Sequence, residues 1–158
     1  MTDLSPDTLF RVANAIAAGG WLLLVIAVWR RSATLRDRIA GLAIPALLAL
    51  GYTAIVLAHF ASSDGGFSTL DNVAALFRSP WMLLAGWVHY LAFDLLVGAW
   101  VARDAATRGL PRWLLVPVLP LVFLFGPAGW LTWLVLRALH PAGANRQAGN
   151  PWPSENAS

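Results

Sequence analysis

Neither cysteine nor lysine occurs in this chain of 158 residues. The lack of cysteine excludes disulfides, thiolate nucleophiles and cysteine ligands to iron–sulfur clusters. It gives no indication of the redox compartment. Charged residues are also scarce, at 12% of the chain, whereas 58% of the residues are hydrophobic. So few charges cannot cover the outside of a soluble domain with a large core. The composition therefore predicts a membrane protein.

Four apolar runs are long enough to cross a bilayer, at residues 9–29, 39–60, 81–101 and 113–139. A helix needs about 20 residues to span roughly 30 Å of hydrocarbon. No segment alternates with the two-residue period of a membrane barrel, and open strands are excluded in lipid. The sequence predicts an all-α integral membrane domain, a four-helix bundle over residues 1–140. The polar, proline-bearing segment 141–158 is predicted to be a disordered tail.

The arginines indicate how the spans are oriented. Seven lie in the first and third loops, which share one side of the membrane, and four lie on the opposite side. The positive-inside rule then predicts cytoplasmic first and third loops and both termini outside, in a bacterial inner membrane. Because these cations flank spans, their expected partners are lipid headgroups, and nucleic acid is not expected.

The second loop, SSDGGFSTLDNVAALFRSP, is predicted to contain a short helix lying along the membrane surface. Ser68 or Thr69 can cap its amino terminus, and the Ser79–Pro80 pair ends it. Its apolar residues, Leu70, Val73, Leu76 and Phe77, fall on one face. Such a helix is either a surface staple between spans two and three or a lid over a site.

The third span carries polar groups in the stretch WVHYLAFDLLVGAWVARD. At about 100° per residue, Tyr90 and Asp94 share a stripe with Trp87, whereas His89 points some 140° away from Asp94. An ionised carboxylate at this depth costs on the order of 3 kcal/mol, so we expect Asp94 to be protonated. Pro127 frees the carbonyl of Phe123 at a similar depth, and a protonated Asp94 is predicted to donate to it.

Each of these residues also has a simpler interpretation. Asp94 can tie helices together, and His89 can be a core histidine bonded to a neighbouring polar group. The three histidines lack the spacing of a metal site, and the chain has no glycine-rich phosphate loop, hydrolase elbow or HExxH motif. The sequence therefore predicts neither a metal nor a cofactor.

Three segments carry a resemblance to a known family. FSTLDNVAALFRSP, WVHYLAFDLLVGAWVARD and GLPRWLLVPVLPLVFLFGPAGWLTWLVLRAL are similar to the abscisic-acid-deficient-four-like family, over residues 67–139. The resemblance implies a small four-span membrane protein. In plants, the family member takes part in converting the epoxy-carotenoid violaxanthin into neoxanthin.

The chemistry that this resemblance implies is an isomerisation without a redox cofactor. One group removes a vinylic proton while another protonates the opening epoxide oxygen, and we assign these catalytic roles to His89 and Asp94. The expected ligand is a carotenoid-like isoprenoid delivered by the membrane lipid. It would lie between spans three and four, in a cleft lined by Trp87, Tyr90 and Phe93 and floored by Gly126 and Pro127.

Two further hypotheses stay open. The chain can be a non-catalytic isoprenoid-binding or assembly module, working as a homo-oligomer or within a pigment-synthesis complex. It can also be a proton-coupled transporter, although four spans supply few polar groups for a pathway.

Overall fold

Residues 5–140 are described by a computed structural model, and within them the structure is helical throughout, with no strand. Its five α-helices are α1 (Pro6–Arg30), α2 (Ile44–His59), α3 (Leu70–Leu76), α4 (Pro80–Thr107) and α5 (Leu115–Leu139). The predicted all-α class is confirmed for this part of the chain. The predicted disordered tail, 141–158, lies outside the described residues.

Four helical segments are long and apolar enough to cross a membrane: Pro6–Arg30, Thr34–Ser62, Pro80–Thr107 and Arg112–Leu139. The second begins at Thr34, earlier than the run that hydropathy indicates, because a π-helix over Thr34–Ala43 leads directly into α2. Gly41 in this π-helix lies against the Ala99 side chain of α4. Packing against α4 therefore extends the helix into the arginine-bearing segment that hydropathy alone assigns to a loop.

Helix α4 is the centre of the molecule, since it packs against α1, α2, α5 and the π-helix. The helices around α4 come closest to it where one residue of the contact is glycine. The Trp21 ring of α1 lies over Gly98 of α4, and Leu95 of α4 lies over Gly20 of α1. Small residues at such crossings let helices approach closely where lipid supplies little hydrophobic driving force. Large apolar side chains elsewhere point outward; Leu57 is 80% exposed and Leu50 69%.

Helix α3 lies in the second loop, where the sequence predicts a short helix. Thr69 caps it, because its side chain accepts a hydrogen bond from the backbone N–H of Asn72. Of its predicted apolar face, Leu76 is buried whereas Leu70 is 85% exposed. Only the carboxyl end of α3 therefore packs against the remainder of the chain.

Candidate functional site

The Asp94 carboxyl is the one buried charged or polar side chain in the described core. It lies between α4 and α5, directly against Gly126, at a place where a β-carbon would overlap its Oδ1 atom. Its Oδ2 atom is buried and has no hydrogen-bond partner among residues 5–140. A buried polar atom without a partner is costly, and such atoms in native proteins call for an explanation.

Helix α5 bends back on itself beside Asp94, and Tyr90 holds the bend. Beyond it, Trp133 and Arg137 contact Asp104 near the end of α4, so the segment 113–139, predicted to cross the membrane once, begins and ends at the same end of the helices. Phe125 has non-helical backbone angles (φ −144°, ψ 58°), two residues before Pro127. Proline lacks the N–H that would bond the carbonyl four residues earlier, here that of Phe123. The Tyr90 hydroxyl donates to the carbonyls of Phe123, at 3.3 Å, and of Leu124, at 2.9 Å. The sequence predicted Asp94 as the donor to Phe123, and the structure gives that bond to Tyr90.

The different lengths of the two side chains explain why Tyr90, and not Asp94, bonds these carbonyls. Tyr90 lies one helical turn before Asp94 on the same stripe, and its longer side chain extends along α5 to the freed carbonyls. Asp94 is shorter and meets α5 at Gly126 instead. The two residues thus contact α5 at neighbouring points, on either side of Phe125.

A first cavity of about 610 Å³ lies between the start of α1 and the first half of α4. Trp87 and Tyr90 line it together with Phe10 of α1 and Phe77 at the end of α3. The Trp87 indole N–H donates to the Asn14 side chain at 3.2 Å, which fixes the ring. Trp87 is 39% exposed, so the cavity opens at the outer surface of the helices.

A second cavity of about 500 Å³ lies on the α2 side of α4. His89 lines it, with Tyr52 of α2 and Phe67 of the second loop. The His89 ring lies 5.5 Å from the Tyr52 ring and stacks at 4.5 Å on Phe93. Both cavities have mostly apolar walls. The titratable side chains are Asp7 and Tyr90 in the first and Tyr52 and His89 in the second.

Phe77 and Gly86 line both cavities, and the Phe77 ring lies on the bare backbone of Gly86. A β-carbon on residue 86 would come within 2.8 Å of that ring. The aromatic side chain at the end of α3 is therefore the partition between the two cavities.

The structure thus brings some of the predicted site residues together and separates others. Asp94 meets Gly126, and Tyr90 meets the bend next to Pro127, whereas His89 and Phe93 lie on another face of α4. Asp94 lines neither cavity, although Tyr90, one turn away, lines the first. No cluster of potential metal ligands occurs in residues 5–140.

Sequence reasoning did not assign to the site three residues that line these cavities, Phe10, Tyr52 and Phe77, or Asn14, which bonds the Trp87 ring. Asn14 and Tyr52 are recognisable in the sequence as polar groups inside apolar runs at about the depth of His89. Phe10 carried no such signal. The alignment of α1 against α4 alone places it in the cavity wall.

The model of the ABA DEFICIENT 4-like family matches residues 8–133. This match covers most of the chain and includes the first two spans, in addition to the segments that carried the resemblance. No curated protein and no solved structure matches the chain.

Proposed function

Because the chain belongs to the ABA DEFICIENT 4-like family, we propose that it binds a carotenoid-like isoprenoid from within the bilayer and isomerises it. The observation that carries this proposal is the first cavity, which has apolar walls and ends at Tyr90, one turn from the unpartnered Asp94 carboxyl. Its volume of about 610 Å³ falls in the range of small-molecule sites.

The cavity suits one end of a long apolar molecule. Exposed side chains at its mouth, Leu83 and Trp87, face outward at the level of the spans, so a ligand enters from hydrocarbon. Flat aromatic walls favour a conjugated ligand. The polar end group then lies at Tyr90, and the remainder of the chain extends into lipid.

In this proposal Asp94 is the general acid. A protonated carboxyl in an apolar site can donate to an oxygen whose bond to carbon is breaking. In the epoxide-to-allene isomerisation, that oxygen becomes a hydroxyl as a base removes a vinylic proton, so the product has the mass of the substrate. Tyr90 separates Asp94 from the cavity in the present arrangement, and a rotation of its side chain would join them.

His89 is the proposed base, but it lines the second cavity. Joining the two groups around one end group requires Phe77 to leave Gly86, which opens the partition between the cavities. This separation is the specific observation that favours a second function. A non-catalytic isoprenoid-binding module, or an assembly module of a homo-oligomer or pigment-synthesis complex, needs no such movement.

The membrane setting of this proposal is a helical bundle in a bacterial inner membrane, with the amino terminus outside and the first and third loops in the cytoplasm. The predicted outer position for the end of α5 does not fit the structure, because Arg137 pairs with Asp104 near the end of α4. Helix α3 then lies on the outer surface, and both cavities belong to the outer half of the bilayer. The partners proposed are membrane lipid and an apolar ligand; the reaction needs no redox cofactor.

Expression in hosts that make different carotenoids, followed by chromatography and mass spectrometry of the pigments, tests the proposal. An isomer of unchanged mass that disappears in both Asp94→Asn and His89→Ala supports catalysis. Asp71→Asn is the matched control, because this acid lies in the exposed first turn of α3. Co-purification of unchanged pigment supports the binding module. Folded protein with neither bound isoprenoid nor altered pigment in any host contradicts both functions.

A further inference from the structure

A third cavity, of about 470 Å³, lies at the opposite end of the helices from the two described above. It is enclosed by the end of α1, the π-helix, the end of α4 and the loop before α5. Three arginines line it, Arg31, Arg36 and Arg112, and no acidic residue does. The remaining walls are small or apolar, among them Ala102 and Leu115.

Two of the arginines are fixed by contacts that leave N–H donors unused. Arg112 donates from Nη1 to the Trp29 carbonyl, at 2.7 Å. Arg36 bonds Asp37 through Nε and Nη2, at 2.8 and 2.9 Å, and its side chain is only 14% exposed. Since a guanidinium has five N–H donors, both residues retain donors for a ligand.

The charge of Asp37 is shared, so it does not neutralise the cluster. Its Oδ1 atom accepts from Arg103 at 3.0 Å as well as from Arg36. Arg31 follows α1 in a left-handed conformation, with φ 56°, and contributes its backbone N–H to the helix end. The cavity wall therefore carries an excess of positive charge.

Two tryptophans indicate the depth of the cavity in the membrane. Trp29 and Trp113 flank it, and both are largely exposed, at 59% and 64%. The Arg112 guanidinium lies 5.9 Å from the centre of the Trp29 ring. Exposed tryptophans at span ends mark the headgroup region of a bilayer.

We propose that this cavity binds the phosphate group of an amphiphilic molecule, with its apolar part against Ala102 and Leu115. Arginine clusters recognise phosphate because guanidinium N–H groups form paired, charge-assisted bonds with its oxygens. Two sources share this chemistry: an anionic phospholipid headgroup and the diphosphate of a soluble or isoprenoid compound. The site is independent of the isoprenoid function proposed above.

The test uses the full chain purified in a nonionic detergent, with binding followed by native mass spectrometry and thermal unfolding. The probes are dihexanoylphosphatidylglycerol, inorganic pyrophosphate and, as a phosphate-free match, dihexanoylglycerol. We expect saturable binding of the phospholipid and none of dihexanoylglycerol. Saturable binding of pyrophosphate would show that the phosphate group suffices and that a diphosphate is an accepted source.

The decisive variant is Arg31→Asn. Asparagine tolerates a left-handed conformation, so this change removes the charge without straining the backbone. We expect roughly tenfold weaker phospholipid binding, the effect of losing one charged hydrogen bond. Arg78→Asn is the matched control, because Arg78 lies outside this cavity, and this variant should bind the phospholipid as the original chain does. Equal binding by both variants, or no saturable binding of any phosphate probe, would overturn the proposal.

Discussion

At position 126, a hydrogen in place of a side chain lets the Asp94 carboxyl lie against the backbone of α5. The contact explains how an acid fits between two packed helices without opening a gap. It also explains why the carboxyl is held away from the freed carbonyls of α5, which Tyr90 occupies. One glycine thereby decides which residue of α4 bonds the bend and which stays unpartnered.

Gly126→Ala is expected to destabilise the protein by about 1–3 kcal/mol, the usual cost of inserting a methyl group into a filled core. Gly51→Ala is the matched control, because a β-carbon there meets nothing within 4 Å. It should be neutral or stabilising by up to about 1 kcal/mol, since alanine favours helix over glycine. The free energy of unfolding, measured in mixed detergent micelles, distinguishes the two.

Combining Gly126→Ala with Asp94→Ala tests the cause. Removal of the carboxyl should abolish most of the cost of the added methyl group, because the two groups compete for one volume. A cost that persists unchanged in the Asp94→Ala background would show that another contact is responsible.

At the scale of the element, α5 contains two internal prolines with unequal effects. Non-helical angles occur at Phe125, next to Pro127, whereas Pro120 lies in continuous helix. A proline frees one carbonyl and crowds the preceding turn, but a bend persists only where the freed groups find another partner. Tyr90 supplies that partner for Phe123 and Leu124.

Pro127→Ala is therefore expected to extend helical hydrogen bonding at the bend and to release Tyr90, because the new N–H can bond the Phe123 carbonyl. Amide hydrogen exchange around residues 123–127 should slow, and any pigment bound beside Tyr90 should change its absorption. Pro120→Ala should leave the exchange of 123–127 and the pigment unchanged. Identical responses in the two variants would contradict the role given to the bend.

At the scale of the whole molecule, the two ends of the helices differ in the charged residues that they carry. One end carries the linked ion pairs of Asp37 with Arg36 and Arg103, and of Asp104 with Arg108 and Arg137. The Trp133 indole, fully buried, donates to Asp104 at 3.1 Å and connects that network to α5. The other end holds α3 and the two apolar cavities.

This asymmetry predicts the orientation. Reporter domains fused at Arg36 and at Arg108 are expected to report the cytoplasm, since basic loops remain on that side. A fusion at Gly66, in the second loop, should report the opposite side and is the control. An external signal at both arginine positions would reverse the topology and place the arginine-lined cavity outside.

Hydropathy and charge along the chain were enough to predict the helical class, four helical segments long and apolar enough to cross a membrane, and the capped helix that begins at Leu70. These features depend on neighbours in sequence: the length of an apolar run, and the hydroxyl of Thr69 beside the first free amides. The resemblance to the family was likewise carried by contiguous motifs, and the family match confirms it. The separation of His89 from Asp94 also followed from helical geometry, because both lie on one helix.

Only the tertiary structure decided which faces meet. That Phe10 lies beside Trp87, that Phe77 divides two cavities at Gly86, and that Tyr90 bonds the bend all depend on how far each helix is shifted and rotated against α4. A helix presents side chains on every side, and its sequence does not say which neighbour takes which side. The same is true of Arg31, Arg36 and Arg112, which converge only because the end of α1, the π-helix and the loop before α5 meet at one end of the molecule.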